Sequence, residues 1–170
     1  MSLNTQDCHR MNCDRIEFDF DKSRVSPDKV QRLFNLSAFW AKDRSLEDWQ
    51  TAISFSEPVL AAWDGTRLIG FARASSDGVY RASIWDVVIH PEYRGAGLGR
   101  QLLERLLAHE RMARVERVYL STTFKAGFYE RLGFQKNQST TMVLMKDLVL
   151  PKALESEEVE YTNSSELDFH

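Results

Sequence analysis

Gly95, Gly97 and Gly99, separated by single residues, stand between Arg94 and Arg100. They follow the apolar run 84–89 and lead into leucines at helical spacing, Leu98, Leu102, Leu103, Leu106 and Leu107. Glycine lets backbone amides approach a ligand closely, and a helix that opens inside such a turn adds unpaired N–H groups and the positive end of its dipole. With two arginines alongside, the stretch Arg94, Gly95, Ala96, Gly97, Leu98, Gly99, Arg100 suits a phosphate or pyrophosphate. The two commoner phosphate loops are not written here. A dinucleotide fingerprint from Gly95 needs glycine where Arg100 stands, one from Gly97 needs it where Leu102 stands, and there is no G-x-x-x-x-G-K-[ST]. A nucleotide-like anion is the ligand expected, with a plain tight turn as the bland alternative.

The elements that must hold this turn can be read outward from it. Ile84, Trp85, Val87, Val88 and Ile89 suit a strand buried on both faces, ending at His90 because Pro91 has no N–H to give. Upstream, 16–20 alternates as a first strand. Ser26-Pro27 opens a helix whose inner face is Val30, Leu33, Phe34, Ser37 and Ala38, and Ser45 with Asp48 opens a second over 46–54. Residues 58–63 and 68–74 flank Asp64-Gly65 as a hairpin. Downstream come a short strand at 118–121, a short helix at 125–132 capped by Gly133, and strands at 134–136 and 140–145.

Composition bounds the rest. A chain of 170 residues is long enough for one domain with a sizeable core. Cys8 and Cys13 have no further Cys or His at ligand spacing, so no metal site is expected, and a reducing, cytoplasmic setting fits. No apolar run reaches the length of a membrane span. The net charge of −3 divides unevenly: 151–170 carries −5, from six carboxylates against Lys152, which leaves +2 for the rest. That is too weak for a nucleic-acid groove. Residues 1–14 read as a flexible arm and 151–170 as an acidic, disordered tail.

Arg94-x-x-Gly97-x-Gly99 after Pro91-Glu92-Tyr93 resembles the acetyl-CoA signature of the GNAT N-acetyltransferase superfamily. Phe128-Tyr129-Glu130-Arg131-Leu132-Gly133-Phe134 resembles its second hallmark, and the likeness runs over 57–145. Residues 71–99 are similar to the plastid and cyanobacterial branch, with its serotonin N-acetyltransferase-like and lysine-acetylating members. The resemblance implies an α+β (mixed α/β) fold over 15–150: a mostly antiparallel sheet of six to seven strands with a splayed central parallel pair, flanked by about four helices. It implies acetyl-CoA as co-substrate and no metal, with the pantetheine arm in the gap against the backbone of Val87, Val88 and Ile89. Where family members often carry Asn, or Asp followed by Asn, this chain has Thr122 and Thr123; Thr123 can hydrogen-bond a cofactor but cannot serve as a carboxylate base.

By the same resemblance Tyr129 is the proton donor to the departing thiolate, a phenol that stays protonated at neutral pH. Read as a helix residue alone, it packs between Phe128 and Leu132. Asp86 and His90 are the nearby base candidates, and a buried strand Asp is more often structural. Phe39, Trp40, Trp49 and Phe55 are core rings by helical pattern, or the wall of an acceptor pocket by resemblance. The expected function is direct acetyl transfer to a primary amine, an arylalkylamine slightly ahead of a protein lysine or N-terminus. A non-catalytic acetyl-CoA sensor and a nucleotide-binding regulator are the alternatives of another class. No nucleic-acid or membrane partner is expected, and a homodimer stays open.

Overall fold

The computed structural model describes residues 15–41, 43–138 and 141–142. The expected arm 1–14 and tail 151–170 lie outside the described residues, as does most of the expected strand 140–145. All elements below belong to the compact unit that ends at Phe134.

Five strands form one sheet in the order β1 (Ile16–Asp19), β2 (Val59–Asp64), β3 (Arg67–Ser76), β4 (Arg81–Ile89) and β5 (Arg117–Tyr119). The first four pair antiparallel; β5 runs parallel to β4. Among the described residues four α-helices flank it: α1 (Pro27–Ser37), α2 (Leu46–Ser54), α3 (Leu98–Leu107) and α4 (Ala126–Glu130). The expected mixed α/β architecture is present, with five strands among the described residues rather than six or seven. Residues 134–136 make no strand, because Gly133 takes φ +91° and the Phe134 N–H turns back to the Tyr129 carbonyl at 3.1 Å.

Strand alternation gives the sheet two separate cores. Val59, Ala61, Trp63, Phe71 and Val88 face α1 and α2, meeting Val30, Leu33, Phe34, Trp49 and Ile53. Leu60, Ala62, Ile69, Ala72 and Ile84 face α3, meeting Leu98, Leu102, Leu103 and Leu106, with α4 packed on the same side through Phe128 and Tyr129. The helix starts differ in chemistry. At α2 the capping box forms, with the Asp48 N–H donating to Ser45 Oγ at 3.0 Å and the Ser45 N–H to Asp48 Oδ2 at 3.4 Å. At α1, Pro27 occupies the first turn, and Ser26 makes no side-chain cap hydrogen bond.

Candidate active site

The parallel pairing of β4 with β5 stops early: only Arg81, Ala82 and Ser83 have partners, opposite Arg117, Val118 and Tyr119. From Ile84 onward β4 has β3 on one side and, among the described residues, no strand on the other. Nor is it buried on both faces along its length, as its sequence suggests; Trp85 is 43% exposed and Val87 and Ile89 are half-buried. The His90 N–H donates to the Ile69 carbonyl at 2.7 Å. Ladder alternation then points the Val88 N–H towards β3 as well, and those of Val87 and Ile89 towards the open edge.

At the end of that edge the chain makes a short turn, Pro91–Tyr93, and enters the glycine segment. Gly97 is the N-cap of α3 at φ +77°, a left-handed conformation that costs an L-residue about 1–2 kcal/mol. The N–H groups of Leu98 and Gly99, in the first turn of α3, have no intrahelical acceptor. Free amides and a helix dipole thus meet at the mouth of the open edge, which fits a pyrophosphate. A β-carbon on Gly99 would lie 3.5 Å from the Phe128 ring and 3.7 Å from Ile89 Cγ1, so α3, α4 and the end of β4 converge here.

The two flanking arginines have protein partners. Arg94 donates from Nε to the Ile89 carbonyl at 3.1 Å and from a terminal nitrogen to the Ser37 carbonyl at 3.1 Å, tying the loop to β4 and to the end of α1. Arg100 pairs with Glu104 one turn on, at 2.6 Å. The loop's free amides, more than its guanidiniums, are the groups left for an anion.

Tyr129 packs edge-on against Phe128 and Phe134 at ring separations of 5.0 and 5.9 Å. Burial pushes its phenol above the usual tyrosine range, so the hydroxyl holds its proton. Thr122 Oγ1 accepts the Lys125 N–H at 3.2 Å and closes the turn into α4; Thr123 is exposed beside it.

The base candidates lie on the other face. Asp86 takes φ +55° at a bulge in β4, and its side chain is 5% exposed. Oδ2 accepts from Arg73 Nε at 2.6 Å and Oδ1 from Arg44 at 2.9 Å. Both oxygens of this enclosed carboxylate are held by guanidiniums, an arrangement that suits a structural anion more than the catalytic base expected from the sequence. His90 is buried: Nε2 accepts from Arg67 at 2.9 Å, and the ring lines a depression of about 260 Å³ with Lys29, Arg32 and Leu33.

Of the four pocket rings, Trp49 is core: it is 1% exposed, 4.5 Å from the Phe34 ring. The amphipathic pattern of α2 turns it inward, onto the core. Phe55 and Trp40 are exposed, and the Phe39 side chain lies outside what is described. Sequence reasoning missed Trp85 as an exposed ring, and it missed Arg44 and Arg73. Arg73 did carry a signal: a cation among Phe71, Ala72 and Ala74 in a buried strand demands an anion, and Asp86 supplies it.

An open strand edge that ends at a glycine-opened helix defines a class, and comparison with known proteins agrees with it. The chain belongs to the GNAT acetyltransferases: the acetyltransferase (GNAT) domain profile matches residues 56–136. It is similar to the N-acetyltransferase ycf52 of Pyropia yezoensis, at 35% identity over 135 residues, which cover 74% of this chain and 76% of that one. It is also similar to the chloroplastic serotonin N-acetyltransferase 2 of Oryza sativa subsp. japonica, at 41% identity over 96 residues, 54% of this chain and about half (48%) of that one. Among solved structures, a GNAT-family protein from Xanthomonas campestris pv. campestris superposes with a TM-score of 0.69 at 28% identity, covering 76% of this chain and 93% of that one. The GNAT family uses acetyl-CoA as co-substrate. No metal-binding group of His, Cys, Asp or Glu occurs among the described residues.

Proposed function

We propose that this acetyltransferase transfers acetyl from acetyl-CoA to the primary amine of a small arylalkylamine, within a ternary complex. The observation that carries the transfer reading is the loss of β5 pairing after Ser83 next to the glycine opening of α3. Acetyl-CoA, when bound, supplies a thioester acyl donor. The outward N–H groups of Val87 and Ile89 hold the donor and polarise its carbonyl, and the amides around Gly97 take the pyrophosphate. Tyr129 holds at Oη the proton that a departing thiolate requires.

The choice of acceptor rests on the opposite face. Arg44 and Arg73 against Asp86 leave a net positive charge there, and Trp85 and Trp40 are exposed rings. A basic peptide brings several cations to such a cluster and meets more repulsion than a single ammonium does, and the indole or phenyl ring of an arylalkylamine gains a stacking surface that a lysine lacks. The likeness to a serotonin N-acetyltransferase supports the same choice. The test is thiol release from acetyl-CoA with tryptamine, serotonin and a lysine peptide in turn. Acetylation of tryptamine, and its competition against the peptide, is the expected result. If tryptamine neither reacts nor competes while the peptide is acetylated, the acceptor is a protein lysine. If acetyl-CoA binds with no thiol release for any amine, the protein is a sensor.

A further inference from the structure

We propose that Asp86 is a positioning residue: the shared anion of an ion network that locks the β4 bulge to α2 and to the segment between α1 and α2. The inference rests on the acetyltransferase reading only for its kinetic consequence. Its structural content stands on the contacts themselves.

The network is continuous. Gln31 in α1 donates to the Arg44 carbonyl at 2.9 Å, fixing the backbone of the segment that leads into α2. The Arg44 guanidinium reaches Asp86 Oδ1 and also lies 4.9 Å from the Trp49 ring centre, over a core residue. Arg73 on β3 holds Asp86 Oδ2 through Nε, and its NH1 donates to Ser56 Oγ at 2.9 Å. The Ser56 hydroxyl in turn donates to the Ala52 carbonyl of α2 at 2.6 Å. One carboxylate therefore joins α1, α2, β3 and β4.

The backbone explains why an anion belongs at that position. Asp86 is the one non-glycine residue at positive φ among the described residues, at the point where the pairing of β3 with β4 slips between Phe71 and Arg73. Such a conformation persists only when its surroundings over-determine it. Two guanidiniums, one to each oxygen, supply that constraint. The bulge sets the direction of the next residue, Val87, whose N–H faces the open edge. Loosening the network therefore moves the groups that hold the acyl donor, although no member of the network touches it.

The experiment compares Asp86→Asn with Arg44→Gln, which alters a half-exposed side chain and leaves the core packed. In the cofactor-free protein, amide exchange at Val88 and His90 should speed up roughly tenfold or more in both variants, because the constraint on β4 is lost from either end. With acetyl-CoA and the reactive amine, both variants should lower kcat/KM. The double variant should be no worse than Asp86→Asn alone, since the ion pair that Arg44→Gln removes is already lost with the Asp86 carboxylate, and the pH–rate profile should keep its shape. The proposal is overturned if Asp86→Asn alone abolishes the acidic limb of that profile, or if Arg44→Gln leaves both exchange and kcat/KM at wild-type values. Should the wild-type protein release no thiol with any amine, the function above fails while the exchange comparison still decides this proposal.

Discussion

The two faces of the sheet solve opposite problems. Towards α1 and α2 the buried polar side chains of β4 and of the residue that follows it are hydrogen-bonded: Asp86 to Arg44 and Arg73, His90 to Arg67. Towards α3 and α4 the side chains are apolar, and polarity is supplied by backbone left unpaired at the open edge of β4 and at Gly97. One face is closed by charge and fixes the strand. The other is kept open by missing partners and is where the acyl donor can be held. Reactivity in this fold comes from what the chain declines to pair, and the paired face makes that gap rigid.

The largest effects should come from confusing the two roles. Trp49 belongs to the closed face, so Trp49→Ala should cost about 3–5 kcal/mol of stability, the range for emptying a buried large ring. Phe55, 84% exposed, should change stability by less than about 0.5 kcal/mol when cut to alanine. Urea denaturation of both variants checks the pair, and a small loss at Trp49 with a raised acceptor KM would return that ring to the pocket. On the open face, Gly97→Val should leave a folded protein, since nothing lies within 4 Å of the added carbon, though strained at φ +77°. Acetyl-CoA affinity should fall on the order of a hundredfold, the worth of one or two charged hydrogen bonds. Calorimetry with unchanged affinity would remove the phosphate-loop reading.

The two faces also differ in how far they could be read from sequence. The open face was legible because its chemistry is local: glycines, a helix start and Tyr129 lie within short stretches whose spacing is fixed by the chain. The closed face was not, because Arg44, Arg73 and Asp86 are brought together by strand register and by the turn into α2, and no spacing along the chain encodes a bulge. The same limit explains the rings. Trp49 and Trp85 are both tryptophans in amphipathic or apolar runs, yet the first is 1% and the second 43% exposed. The difference is tertiary: Trp49 meets the rings of Phe34 and Phe71 across the core, contacts that no spacing along the chain fixes. The helices and the β2–β3 hairpin came out close to their observed bounds, since capping and turn residues act locally.

Tyr129→Phe probes the open face at finer scale. The ring contacts with Phe128 and Phe134 survive the change, and only the proton is lost. Turnover should drop about tenfold to a hundredfold with little change in the KM for acetyl-CoA, provided that thiolate departure limits the rate. A drop below about twofold under that condition would make Tyr129 a packing residue of the second core.

The smallest effect tests the closed face through its one buried imidazole. Burial, then the neighbouring Arg67 cation, hold the His90 pKa below its ordinary value, with Glu92 acting the other way and Arg94 adding to the depression. The folded protein therefore binds that proton less readily than the unfolded chain, in which histidine titrates near about 6.5. By linkage, stability is at its full value above that pH and declines as the pH falls through it, until the folded-state pKa is reached. One proton limits the slope to about 1.4 kcal/mol per pH unit. Asp21, Asp28 and Asp77, whose pKa values are lowered from 3.8, act only at more acidic pH and leave this window clear. Urea midpoints taken between about pH 7.5 and 5.5 should fall for the wild type and stay flat for His90→Gln, with the titrating group gone. A wild-type midpoint that instead rises on acidification would mean that protonated His90 finds Glu92, 3.9 Å away, more strongly than Arg67 repels it. The charge matching described for this face would then be wrong at His90.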